Sequence, residues 1–88
     1  MRKNDEELID MYDQIKEKVK VGEFYSHYKH PGEKRYRIVS IGLMEDTWIP
    51  MVTYEHIRSG VMTVRTLENF LEKVNFENKL VDRFTLID

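Results

Sequence analysis

The sequence predicts a small α+β domain: a curved antiparallel sheet with one helix ahead of it and a short helix before the last strand. Two observations carry this. Apolar residues recur every three or four positions up to Gly22, the period of one helix face. Beyond Gly22 the chain breaks into short aromatic and β-branched runs separated by Pro31-Gly32, Glu45-Asp46-Thr47 and Ser59-Gly60, which is the grammar of strands and turns.

Leu8, Met11, Tyr12, Ile15 and Val19 form one stripe from about Asn4 to Lys20. Asn4 or Asp5 caps its start, Asp5, Glu6 and Glu7 suit the positive end of the helix dipole, and Lys16, Lys18 and Lys20 suit the negative end. Gly22 stops it. Phe24–Tyr28 is a strand, and Pro31-Gly32 turns the chain into Arg35–Leu43, where Gly42 marks a bulge or bend. Trp48–Ile57 returns, with Pro50 expected near an edge or a bulge because it lacks a ladder donor. Val61–Arg65 is a short strand, and Thr66 caps a second helix with Leu67, Phe70, Leu71 and Val74 on one face. Phe76–Asp82 reads as a loop before a final strand, Arg83–Ile87. The organisation is thus an amphipathic helix over residues 1–20 and a β-rich core over 21–88, together one domain.

At 88 residues, 41% of them apolar and 34% charged, the chain is globular and close to the lower limit for one self-sufficient core. Packing or self-association must therefore stabilise it, so a homo-oligomer is one expectation. There is no cysteine, which excludes disulfides, thiolate metal sites and cysteine nucleophiles. The charged start, Met1 to Glu7, lacks the apolar centre of a signal peptide, and no apolar run approaches a membrane span. A cytoplasmic protein is expected. The net charge of −2 argues against a strongly basic nucleic-acid binder, yet from His27 to Arg37 the only acid is Glu33. A local anion site is compatible with an acidic whole.

Catalytic signatures are missing. Ser26 and His27 are neighbours that point to opposite faces of a strand, and no Gly-x-Ser-x-Gly context surrounds Ser40 or Ser59. His27, His30 and His56 lack metal-ligand spacing, and four scattered glycines build no phosphate cradle. Neither a catalytic residue, a metal nor a cofactor is assigned. What remains is a side-chain anion site: Arg65 precedes the helix start at Thr66, and Arg83 opens the last strand. Alternation puts Tyr25, His27 and Lys29 on one face of the first strand. Tyr54 and Trp48 share a face of the third and extend either a stacking platform or the core; for Trp48 the two readings weigh equally.

Several ordered segments together resemble a known family: Phe24-Tyr25-Ser26-His27-Tyr28-Lys29, Tyr36 to Gly42, Glu45-Asp46-Thr47, Val52-Thr53-Tyr54, Val64-Arg65 with Phe70, and Arg83-Phe84. That family comprises short bacterial proteins catalogued as a domain of unknown function, with Tyr-x-His-Tyr-Lys-Gly, Trp-Val-Arg-Pro and Pro-Arg-Phe motifs. The resemblance spans about Val21 to Ile87 and leaves the first helix outside. It implies a compact SH3-like partial barrel and singles out His27, Tyr28, Lys29, Arg65 and Arg83 as pattern positions. The chain departs from the pattern at His30-Pro31-Gly32, Thr63, Thr66 and Asp82, where the family has Gly, Trp, Pro and Pro.

The expectation is a non-enzymatic binding module for an anionic, ring-containing ligand, a nucleotide or a short nucleic acid. Its site residues would be Tyr25, His27, Tyr28, Lys29, Trp48, Tyr54, Arg65 and Arg83. The alternative is a protein-interaction or regulatory domain that acts through self-association or a partner protein, by its helix or a sheet edge. A third class, a small hydrolase of a phosphorylated compound, needs His27 or Glu55 as a base close to the arginines.

Overall fold

The computed structural model describes residues 3–87; Met1, Arg2 and Asp88, part of the charged start and of the expected outer segments, lie outside the described residues. Helix α1 (Asp5–Lys18) begins where Asn4 accepts the Glu7 N–H at 2.9 Å. Its dipole is matched by acids in the first turn and lysines in the last. Gly22 follows with φ +87° and donates to the Ile38 carbonyl at 2.8 Å, a backbone geometry that a side chain would strain.

Strands β1 (Phe24–His27), β2 (Tyr36–Leu43), β3 (Pro50–His56), β4 (Met62–Thr66) and β7 (Phe84–Ile87) form one antiparallel sheet in the order β4-β3-β2-β1-β7. The sheet is open, since the edge strands β4 and β7 do not pair. Helix α2 (Leu67–Phe70) starts at Thr66, whose hydroxyl accepts the Asn69 N–H at 3.1 Å. It is shorter than the expected stretch: Leu71 is exposed and Val74 lies in β5.

Residues 76–82, expected as a loop, belong to a second two-stranded sheet made of β5 (Lys73–Phe76) and β6 (Lys79–Asp82). Its turn residues Glu77 and Asn78 both have positive φ, +53° and +67°, as a two-residue hairpin turn requires. Asn-Gly is the usual signal for that turn, and Glu-Asn hides it. The expected bulge at Gly42 is also displaced. Gly42 pairs in register with Met51, and the ladder slips between Ile38 and Ser40. The extra residue is therefore Val39. Pro50 opens β3, where its missing N–H interrupts no ladder bond.

The core lies on one side of the sheet. Cross-strand pairing puts Tyr25, Tyr36, Ile38, Ile41, Val52, Tyr54 and Phe84 on that side, against Ile15 and Val19 of the α1 end and Leu67 and Phe70 of α2. Arg37 and Glu55, ion-paired at 3.4 Å, and the exposed Met62 and Val64 mark the opposite, open side. A one-sided antiparallel sheet of this kind alternates apolar-in and polar-out.

Candidate functional site

Phe84 is the hub. Its ring stacks on Phe70 at 4.5 Å and meets Tyr36 at 5.4 Å and Tyr54 at 5.6 Å. His27, its partner across the β1–β7 ladder, touches it edge-on at 5.6 Å, and the Arg65 guanidinium lies over it at 5.4 Å. Arg83 precedes it, and the Arg83 carbonyl accepts the Tyr28 N–H at 3.0 Å. His27 and Arg65 thus meet on one aromatic ring although they are 38 residues apart in sequence (65 minus 27), and the Tyr28–Arg83 backbone bond lies beside them. Lys29 joins them locally, its backbone N–H donating to His27 Nδ1 at 3.2 Å.

That bond fixes the imidazole: with Nδ1 accepting, the neutral ring carries its proton on Nε2, which has no hydrogen-bond acceptor among the described residues. Burial is the largest influence lowering the His27 pKa, followed by the charges of Lys29, Arg83, His30 and Arg65. Lys29, Arg83 and Arg65 are cations, so the ring sits in a positive field.

The two arginines are themselves positioned by α2 and the segment after it. Arg65 donates from Nε to the Tyr54 hydroxyl at 2.8 Å and from its fork to Asn69 Oδ1. Asn69 donates to Glu72 at 3.2 Å, and Glu72 pairs with Arg83 at 3.5 Å. Arg83 Nε is buried and has no acceptor. An unpaired buried donor costs about 1–3 kcal/mol, more when charged. The Arg83 side chain is therefore held in place by one carboxylate with a second donor direction unused.

The remaining expected residues go elsewhere. Tyr25 is buried against Phe70 at 5.4 Å, and its hydroxyl accepts the Lys20 N–H at 3.1 Å, fastening the chain after α1 to the sheet. Tyr54 is likewise buried, with its hydroxyl taken by Arg65. Both rings face the core because the side of β1 that carries His27 is the core side, so neither can stack a ligand. Trp48 lines an apolar depression of about 310 Å³ with Leu8, Ile9, Tyr12 and Leu43. Leu43 and Tyr36 stand at opposite ends of β2, about 23 Å apart, so Trp48 does not extend the His27 surface.

Two half-buried rings that were not expected stand there instead. Tyr36 meets His27 at 6.3 Å and His56 at 5.0 Å edge-on, and His56 Nε2 shares a hydrogen bond with Thr63 at 3.0 Å. Burial and the nearby Tyr54 hydroxyl raise the Tyr36 pKa, against the opposing pull of Arg35 and Arg65. The alternation of Tyr54 and His56 could have flagged the latter as a neighbour of Tyr36. The hydrolase reading loses one base: Glu55 is held by Arg37 on the open side of the sheet, away from His27. Among the described residues no group of three or more His, Asp or Glu is placed to hold a metal ion.

The comparison with protein families places the chain. The profile of a family described as a protein of unknown function, DUF1653, matches residues 23–86. The chain belongs to the DUF1653 family. The match begins at the residue before β1 and ends within β7, so the DUF1653 unit is the sheet with α2 and the β5–β6 hairpin, and α1 precedes it. His27, Tyr28, Lys29, Arg65 and Arg83 all fall inside it. No curated protein and no solved structure matches the chain. Among the described residues of this DUF1653 chain, no helix is long and apolar enough to cross a membrane.

The His27 environment has a measurable consequence. Its native pKa lies below the ordinary value of about 6.5, so the unfolded chain takes up this proton first as pH falls. Stability contributed by neutral His27 is thus present at neutral pH and is lost as pH drops from about 6.5 towards the lowered native value. In urea titrations, the wild type is expected to lose more stability between pH 7.5 and pH 5 than His27→Gln does. Equal losses in the two proteins would contradict the lowered His27 pKa.

Proposed function

We propose that the protein is a non-enzymatic binding module for a small anion carrying a flat ring, with a nucleotide as the chemical class. The observation that carries this reading is the His27 ring, which meets Phe84 edge-on with the Arg65 guanidinium over that same ring and feels the positive charges of Lys29, Arg83 and Arg65. Two N–H donors without acceptors, His27 Nε2 and Arg83 Nε, lie in the same region. A phosphate or carboxylate oxygen that accepts from His27 Nε2 also neutralises the field to which Arg83 contributes. The half-buried faces of Tyr28, Tyr36 and His56 supply the stacking surface. Net charge stays negative, so binding rests on the local patch and weakens with salt.

The test is a thermal-shift titration with nucleoside mono-, di- and triphosphates and a short single-stranded oligonucleotide. A ligand that binds only the folded state raises Tm. At least one compound is expected to do so, with the rise abolished in Arg83→Ala and reduced in Lys29→Ala. Shifts that survive both substitutions, or an absence of shifts across the whole panel, would reject the reading.

A further inference from the structure

β4 is an edge of the sheet, and its pairing with β3 tells which of its backbone groups are spoken for. His56 donates to the Val61 carbonyl at 2.9 Å, and the register then pairs Tyr54 with Thr63 and Val52 with Arg65. In an antiparallel ladder, hydrogen-bonded pairs alternate with non-bonded ones. Val61, Thr63 and Arg65 therefore bond inwards to β3, and Met62, Val64 and Thr66 aim their N–H and C=O groups outwards. The Thr66 carbonyl lies at the start of α2 and serves the helix, so the outward set that remains is both groups of Met62 and Val64 and the Thr66 N–H.

Edge strands are usually blunted by lysines, prolines or bulges, and β4 has none of these: its sequence is Met-Thr-Val-Arg-Thr. Val61, Met62 and Val64 are 55%, 51% and 57% exposed, and Met62 and Val64 stand on the open side of the sheet. The single charge, Arg65, points to the core side, where Tyr54, Asn69 and Phe84 engage it. The other edge differs. β7 runs beside Lys16, Lys20 and Glu23, which share a depression with Leu86.

We propose that β4 is the dimerisation edge of this protein and that its occupant is the β4 strand of a second copy. A two-fold axis perpendicular to the sheet at Val64 sets Val64 against its own symmetry mate and Met62 against Thr66. Each of these is an outward-facing residue, so the registers agree without a slip. About four backbone hydrogen bonds close across the axis: Val64 with Val64 twice, and Thr66 N–H to the Met62 carbonyl twice. On the open side, Met62 and Val64 of the two copies form one apolar stripe, and on the core side Arg65 meets Thr63, so no like charges are opposed. This self-complementarity favours a second copy over a foreign extended peptide, whose side chains would have to supply the same neutral match. The area is small beside a standard interface of about 1,600 Å², so a reversible, concentration-dependent dimer is expected. The proposal is independent of the anion site.

Sedimentation equilibrium of the full chain over a range of concentrations, with amide hydrogen exchange on the same samples, tests it. The wild type is expected to dimerise, and the Val64 and Thr66 amides to gain protection as concentration rises. Val64→Lys puts two ammonium groups across the axis, and it is expected to weaken the dimer about tenfold or more while circular dichroism stays unchanged. Ile9→Glu, in the apolar depression beside α1, is expected to leave dimerisation intact. A wild type that remains monomeric at its highest soluble concentration overturns the proposal. So does a dimer that survives Val64→Lys, or one formed without added protection at Val64 and Thr66; a foreign peptide that pairs with β4 while the wild type stays monomeric would identify the other occupant.

Discussion

Phe70→Ala is expected to remove a large share of the protein's stability, about 3–5 kcal/mol. Phe70 is 2% exposed, stacks on Phe84, and meets the rings of Tyr25 and Tyr54 at 5.4 and 6.0 Å. Deleting it leaves Leu67 as the buried α2 side chain, and a four-residue helix has no stability of its own with which to refill the space. Small domains have only about 5–15 kcal/mol in total. Urea denaturation reads the loss directly; Phe70→Leu, which keeps most of the volume, is expected to lose less. A cost under about 1 kcal/mol for Phe70→Ala would mean that the Phe70–Phe84 stack is not the centre of the core.

Arg65→Ala is the second large effect, because it removes two things together. The guanidinium joins β4 to Tyr54 on β3 and to Asn69 in α2 while covering the Phe84 ring. Its loss strands the buried Tyr54 hydroxyl without this donor, and hydrogen bonds to a charged group are worth about 1.5–3 kcal/mol. The same change lowers the positive field at His27. A stability loss of about 2–3 kcal/mol is therefore expected together with a much weaker nucleotide-induced Tm shift. Arg65→Lys separates the two: the charge returns, but a lysine lacks the planar fork needed to serve Tyr54 and Asn69 at once. It is expected to recover part of the ligand response while remaining destabilised. If calorimetric titration finds nucleotide affinity unchanged in Arg65→Ala, Arg65 is a brace between strand and helix and no part of the site.

Most of the secondary structure was legible because local physics decides it. The α1 stripe, the Asn4 and Thr66 caps and the glycine turns each rest on neighbours within a few residues. The β5–β6 hairpin was hidden for a local reason as well, since Glu77 and Asn78 adopt a turn that their side chains do not advertise. The site divided along a different line. Alternation placed Tyr25 and His27 on one face of β1, but it is silent on which face the core takes. That choice is made by α1 and α2, which both settle on the His27 side and so consume Tyr25 and Tyr54 in packing. His27 keeps a free nitrogen only because it stands where the core gives out.

Local sequence was enough to read an α+β domain with an antiparallel sheet and the positive charges near the first hairpin. Tertiary structure alone decided that Arg65 lies over the Phe84 ring that His27 touches, that Glu72 ties Arg83 to Asn69, and that Trp48 stands elsewhere. The physical reason is range. Caps, turns and amphipathic stripes are set by contacts a few residues apart, whereas the Phe84 hub joins strands from both ends of the chain, and its partners are chosen by a register that no local period records.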